Sequence, residues 1–172
     1  FTEKFNWYLD MTDEKIFTMS DDMKDALDEM FEDNDVAIEI IFAAPYDIVK
    51  DAFATSTTSG SIGYVNATAE DLALKYDNIS LSYHDIRKEY NFYKENFYTD
   101  AGTPLSQNVV IVARKNADGT YGEYRVLHYQ SFYTFDYSTD ELYGYNGEMT
   151  FTSSILSLVL DKTPTVYFTI GH

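Results

Sequence analysis

The chain has 172 residues, 45% of them hydrophobic, with 12 basic against 29 acidic side chains, a net charge of −17 and no cysteine. That length fits one domain with a core of ordinary size. The acidity disfavours nucleic acid and anionic membrane surfaces as partners, and the absence of cysteine excludes thiol catalysis, disulfides and zinc–thiolate sites.

Residues Phe1 to Met19 read as extended, with Phe5, Trp7 and Leu9 alternating with polar residues. Ser20 is placed to cap a helix, and Asp21 and Asp22 suit the positive end of its dipole. Met23, Ala26, Leu27, Met30 and Phe31 then recur at helical spacing, while Asp25, Asp28, Glu29 and Glu32 fall on the other side. Val36 to Ala44 is an almost continuous apolar run, as expected of a strand covered on both faces, and Glu39 is its exception. Pro45 ends the run, and Asp47 to Phe53 reads as a short helix. Thr55 to Gly63 reads as a polar loop. Thr68-Ala-Glu-Asp71 resembles a capping box and predicts a helix to about Tyr76.

Ile79, Leu81 and Tyr83 alternate in a second strand that reaches Asp85-Ile86. Arg87 to Tyr98 carries Tyr90, Tyr93 and Phe97 at helical spacing. Asp100 to Pro104 is a turn, Val109 to Ala113 a third strand, and Asn116-Ala-Asp-Gly119 a hairpin signal followed by a strand from Glu123 to Tyr129. Ser131 to Tyr145 is aromatic and reads as irregular. Thr150 to Leu160 is a final helix, and Val166 to Ile170 a last strand. The order predicts two parallel strands joined by a helical crossover, then an antiparallel hairpin and a covering helix. This is an α/β, thioredoxin-like three-layer sandwich with a mixed sheet. Its redox dithiol is missing, because Ala43-Ala44-Pro45-Tyr46-Asp47 occupies the position after the first strand. Residues 1–165 form that domain, and 166–172 are expected to be the first strand of a following one.

Motifs for chemistry are sparse. His84, His128 and His172 lie on different elements with no metal-binding spacing. Thr58-Ser-Gly-Ser-Ile-Gly63 lacks the Gly-Lys-Ser/Thr ending of a phosphate loop. No metal and no cofactor is expected. Glu32-Asp33-Asn34-Asp35 is compact enough for a weak cation but lacks the EF-hand pattern, so a solvated helix end is the plainer reading. Asn66-Ala-Thr68 and Asn78-Ile-Ser80 match the glycosylation triplet and are read as structural. Tyrosine is the unusual residue, with 16 copies. Tyr129, Tyr133, Tyr137, Tyr143 and Tyr145 crowd one segment. They are either strand-face packing or an amphipathic binding surface for a partner or a ligand.

Trp7-Tyr-Leu-Asp-Met-Thr-Asp-Glu-Lys-Ile-Phe-Thr-Met-Ser20, Tyr83-His-Asp85, Tyr145-Asn-Gly-Glu148 and Val166-Tyr-Phe-Thr-Ile-Gly-His172, with the strand at Val36 to Phe42, carry a family likeness. Together they resemble GldG-like proteins, auxiliary components of gliding-motility-type ABC transporters. The resemblance implies a bacterial extracytoplasmic domain anchored by membrane helices outside this chain. It would work beside an ATPase and a permease, and the family supplies no catalytic residues to carry over. A non-catalytic role in protein contact or substrate handling is therefore expected. The alternative is a module recognising sugar or peptide through its tyrosines.

Overall fold

A computed structural model describes residues 21–52, 61–97, 105–139 and 141–160, with the side chains of 141–143 left aside. The expected extended segment Phe1–Met19, the turn at Asp100–Pro104, the strand at Val166–Ile170 and the boundary after residue 165 lie outside these residues.

The chain is a mixed α/β fold built on a four-stranded sheet. In chain order the elements are α1 (Asp21–Asp33), β1 (Ala37–Phe42), α2 (Tyr46–Val49), α3 (Ile62–Lys75), β2 (Ile79–Tyr83), α4 (Tyr90–Asn96), β3 (Val109–Lys115) and β4 (Tyr121–His128). A 3-10 turn (Tyr129–Phe132), β5 (Tyr133–Asp136), β6 (Glu141–Tyr145) and α5 (Gly147–Val159) complete them. The sheet order is β2-β1-β3-β4. β1 and β2 are parallel, in register from Ile38 opposite Ile79 to Phe42 opposite Tyr83. β3 runs antiparallel to both its neighbours, β1 and β4. The expected parallel pair and hairpin are thus both present.

Strand alternation divides the core. Ile38, Ile40 and Phe42 of β1 and Val110 and Val112 of β3 face a large cluster with Leu27 and Met30 of α1, Val65, Ala69 and Leu72 of α3, and Phe151, Ile155 and Leu158 of α5. Ile41, Ala43, Ile111 and Ala113 face the other way, against Ile86, Tyr93 and Phe97. One face therefore carries α1, α3 and α5 together with Val49 of the short α2, and the other carries the seven-residue α4 and its flanks. Each fully buried Leu, Ile or Phe contributes about 1.5–3 kcal/mol. The continuous apolar sequence of β1 is the consequence of being covered on both faces.

Several element boundaries differ from those the sequence suggests: α4 begins at Tyr90 and not Arg87, β4 at Tyr121 and not Glu123, and β2 ends at Tyr83. α3 begins at Ile62, inside the expected polar loop. Ser61, in extended backbone, caps it by accepting from the Gly63 N–H at 3.2 Å. Thr68 is not a cap; its hydroxyl donates to the Tyr64 carbonyl one turn back, at 3.0 Å. α5 starts at Gly147, three residues early, and the short helix after Pro45 stops at Val49. The expected irregular stretch Ser131–Tyr145 contains a second, two-stranded sheet. The pairing passes from Thr134–Gly144 to Phe135–Leu142, leaving Tyr143 as an extra residue in β6, and that residue breaks the period of two in the second strand. The β3–β4 turn closes through Gly119, whose φ of +85° is a left-handed conformation open to glycine.

Candidate functional site

The five tyrosines expected to form a binding surface do not share one exposed patch. Tyr133 and Tyr145 stand opposite each other across the β5–β6 pair. Both are buried, at 8% and 2% exposure. The Tyr133 hydroxyl donates to the Ser61 carbonyl at 2.6 Å and accepts from the Ser61 N–H at 2.8 Å. The Tyr145 hydroxyl donates to the Tyr64 carbonyl at 2.9 Å and lies 2.7 Å from Thr68 Oγ1. A Cβ on Gly147 would overlap the Tyr145 ring and hydroxyl, so that glycine admits the tyrosine into the core. These two tyrosines clasp the aromatic hairpin onto the start of α3. Tyr129 is half-buried, with its ring against His128. Tyr137 is 98% exposed, and the Tyr143 side chain lies outside the described residues.

The densest polar grouping sits at the carboxyl end of β2, where β1 and β2 send their connections to opposite faces of the sheet. Such points are where open α/β sheets bind ligands. His84 Nδ1 lies 2.7 Å from Glu89 Oε2, and its ring stacks on Phe92 with centroids 4.1 Å apart. The residue that meets this imidazole is therefore Glu89, and the adjacent Asp85 turns away from it. Asp85 is buried, with its side chain 6% exposed. Its Oδ1 accepts from the Arg87 N–H at 3.1 Å, Arg87 Nε at 3.4 Å and Gln107 Nε2 at 3.1 Å. Burial works to raise the Asp85 pKa, but the Arg87 N–H and guanidinium outweigh it and hold the carboxyl below its ordinary value. Tyr93 closes the group from beneath by donating to the His84 carbonyl at 2.6 Å. Burial, with the Glu89 and Asp85 charges behind it, raises the Tyr93 hydroxyl above its ordinary pKa. The carboxylate ties the exit of β2 to the entrance of β3. Among the described residues no nucleophile faces the imidazole within bonding distance.

A second carboxylate is built into the middle of the sheet. Glu39 sits on the α4 side of β1, with its side chain 6% exposed. Its Oε2 lies 2.6 Å from Lys115 Nζ and accepts from the Tyr121 hydroxyl at 3.2 Å. Burial alone raises its pKa; Lys115, Ser82 and Tyr121 reverse the sign and hold it below the ordinary value. The Tyr121 hydroxyl is pushed up to about 12 by burial and by the Glu39 charge. This explains the one charge in an otherwise apolar strand. It is a neutralised structural pair on a sheet face.

The other sequence candidates are placed as follows. No group of three or more His, Asp or Glu side chains converges as a metal site among the described residues. His128 accepts from the Gln130 N–H at 3.3 Å and so caps the 3-10 turn. His172 lies outside the described residues. Asn66 is buried and accepts from the Tyr83 hydroxyl at 2.7 Å, and Asn78 donates to the Val36 carbonyl at 3.0 Å. Both asparagines of the glycosylation triplets are thus engaged within the fold. No described helix is long and apolar enough to cross a membrane.

α1 shows a different character. Asp21, Asp22, Asp25, Glu29, Glu32 and Asp33 are all exposed, and its last turn holds no basic residue. Lys24 lies 3.9 Å from Asp21, and Lys75 reaches Asp28 from α3 at the same distance. The outer row Asp22, Asp25, Glu29 and Asp33, three or four residues apart, places like charges side by side, an arrangement that disfavours an isolated helix. What anchors α1 is Leu27 and Met30 in the core, together with the Tyr76 hydroxyl donating to Asp28 Oδ1 at 2.5 Å.

No family model matches the chain, and neither a curated protein nor a solved structure matches it.

Proposed function

We propose that this chain is a non-catalytic contact domain of thioredoxin-like topology, the extracytoplasmic part of a GldG-like auxiliary protein of a bacterial ABC transporter. The sheet order β2-β1-β3-β4, with β3 opposed to the other three, supports the thioredoxin-like reading. So does the placement of α3 and α5 on one face and α4 on the other. The site where such a fold would carry its dithiol holds Ala44-Pro45-Tyr46, which removes thiol redox chemistry from the reading. The motifs at Tyr83–Asp85 and Tyr145–Glu148 support the family reading; those at Trp7–Ser20 and Val166–His172 lie outside the described residues.

The observation that carries the contact role is the exposed, like-charged outer row of α1. A helix that tolerates side-by-side carboxylates over its whole outer face suits a partner with a basic surface, and opposite charge speeds and orients such an encounter. In this reading the partner is the transporter's ATPase–permease assembly, on its extracytoplasmic face, and membrane attachment comes from segments outside this chain. The tyrosine-platform alternative loses Tyr133 and Tyr145, which serve the core; among the described side chains it keeps Tyr129 and Tyr137.

The reading is tested by isolating the protein from detergent-solubilised membranes of its native cell. An ABC ATPase and permease are expected to co-purify with it. The pair of charge reversals Asp25→Lys and Glu29→Lys is expected to release them while leaving the protein folded, with a stability equal to or above that of wild type because both changes relieve the like-charged row. Recovery of neither subunit from the wild type overturns the proposal. Retention by the double variant removes α1 as the contact surface.

A further inference from the structure

We draw no further inference here: the strongest candidate, the buried Asp85 carboxylate at the carboxyl end of β2, has an Oδ2 with no hydrogen-bond partner among the described residues, but that oxygen is closed to solvent beside the Arg87 guanidinium already bonded to Oδ1, and nothing in the structure shows what ligand would reach it.

Discussion

At the residue scale, the buried hydroxyls and carboxylates act as fasteners, and their removal separates structural from surface tyrosines. Tyr145→Phe deletes the donor to the Tyr64 carbonyl and the contact with Thr68 Oγ1. Leaving buried polar groups without that partner is expected to cost about 1–3 kcal/mol in urea unfolding. Tyr137→Phe, at a fully exposed ring, is expected to change stability by less than about 0.5 kcal/mol. Equal effects would contradict the placement of the hairpin. Lys115→Ala examines Glu39 in the same way. Breaking a fully buried pair costs about 3–5 kcal/mol, but Lys115 is 38% exposed, so a smaller loss of about 1–3 kcal/mol is expected. The pH dependence has a definite sign. Glu39 has a depressed folded-state pKa, so its contribution is present above the ordinary carboxylate value of 4.5 and is lost as pH falls through the folded value. Without Lys115 the depression shrinks, and acid unfolding is expected to begin at higher pH than in the wild type. An unchanged acid-unfolding midpoint would show that the pair does not stabilise the fold. The role of Glu39 was half legible in the sequence: one carboxylate in an apolar strand signals a partner. Lys115 and Tyr121 lie 76 and 82 positions away and are brought to it by pairing across β3 and β4. The Asp85–Gln107 bond spans 22 positions and is likewise non-local, whereas the exposed acids of α1 follow directly from helical spacing.

At the scale of elements, the four sheet strands were legible because each is a short β-branched or aromatic run bounded by turn residues. α1 was legible from its stripe. What was obscured is instructive. The start of α3 lies in a stretch of Ser, Thr and Gly whose composition signals a loop, yet one serine in the right backbone conformation begins a helix there. The hairpin holds that first turn from outside, with the Tyr133 hydroxyl bonded to both the N–H and the carbonyl of Ser61. Ser61 thus serves three connections: the cap to Gly63, the bond from its hydroxyl to the Ala52 carbonyl, and the Tyr133 clasp. Ser61→Ala removes the first two and keeps the third. The expected loss is about 1–2 kcal/mol, at the upper end for a helix cap. Amide hydrogen exchange is expected to accelerate at Gly63 and Tyr64, while the sheet amides of β3 keep their protection relative to global stability. Uniform acceleration limited to the global change would mean that α3 does not fray as a unit. The β5–β6 hairpin was hidden for the complementary reason: its aromatic content was visible, but an extra residue interrupts the alternation of β6, and the tyrosines divide between buried strand positions, Tyr133 and Tyr145, and the exposed turn at Tyr137.

At the scale of the whole molecule, the fold must hold together against its own charge. A net charge of −17 on 172 residues is a self-repulsion that the compact state feels more strongly than the unfolded chain. α1 carries seven of the 29 acidic side chains within 13 residues, and Glu32 and Asp33 occupy the helix end whose dipole favours cations. Screening lengths shrink from about 30 Å at 0.01 M salt to about 8 Å at 0.15 M. The thermal midpoint is therefore expected to rise as sodium chloride increases over that range, opposite to the behaviour of a fold stabilised by surface ion pairs. Asp33→Lys places a cation at the end of α1 and removes one member of the like-charged row. It is expected to raise stability at low salt by about 0.3–1 kcal/mol and to flatten the salt dependence. A midpoint that falls with salt would show that ion pairs such as Lys115–Glu39 outweigh the repulsion across the molecule. A variant whose salt response equals that of the wild type would show that the strain is spread evenly and that α1 is an ordinary solvated helix. If the low-salt strain does reside on α1, it is the energy a basic partner would relieve on contact, and the salt titration reports it before any partner is in hand.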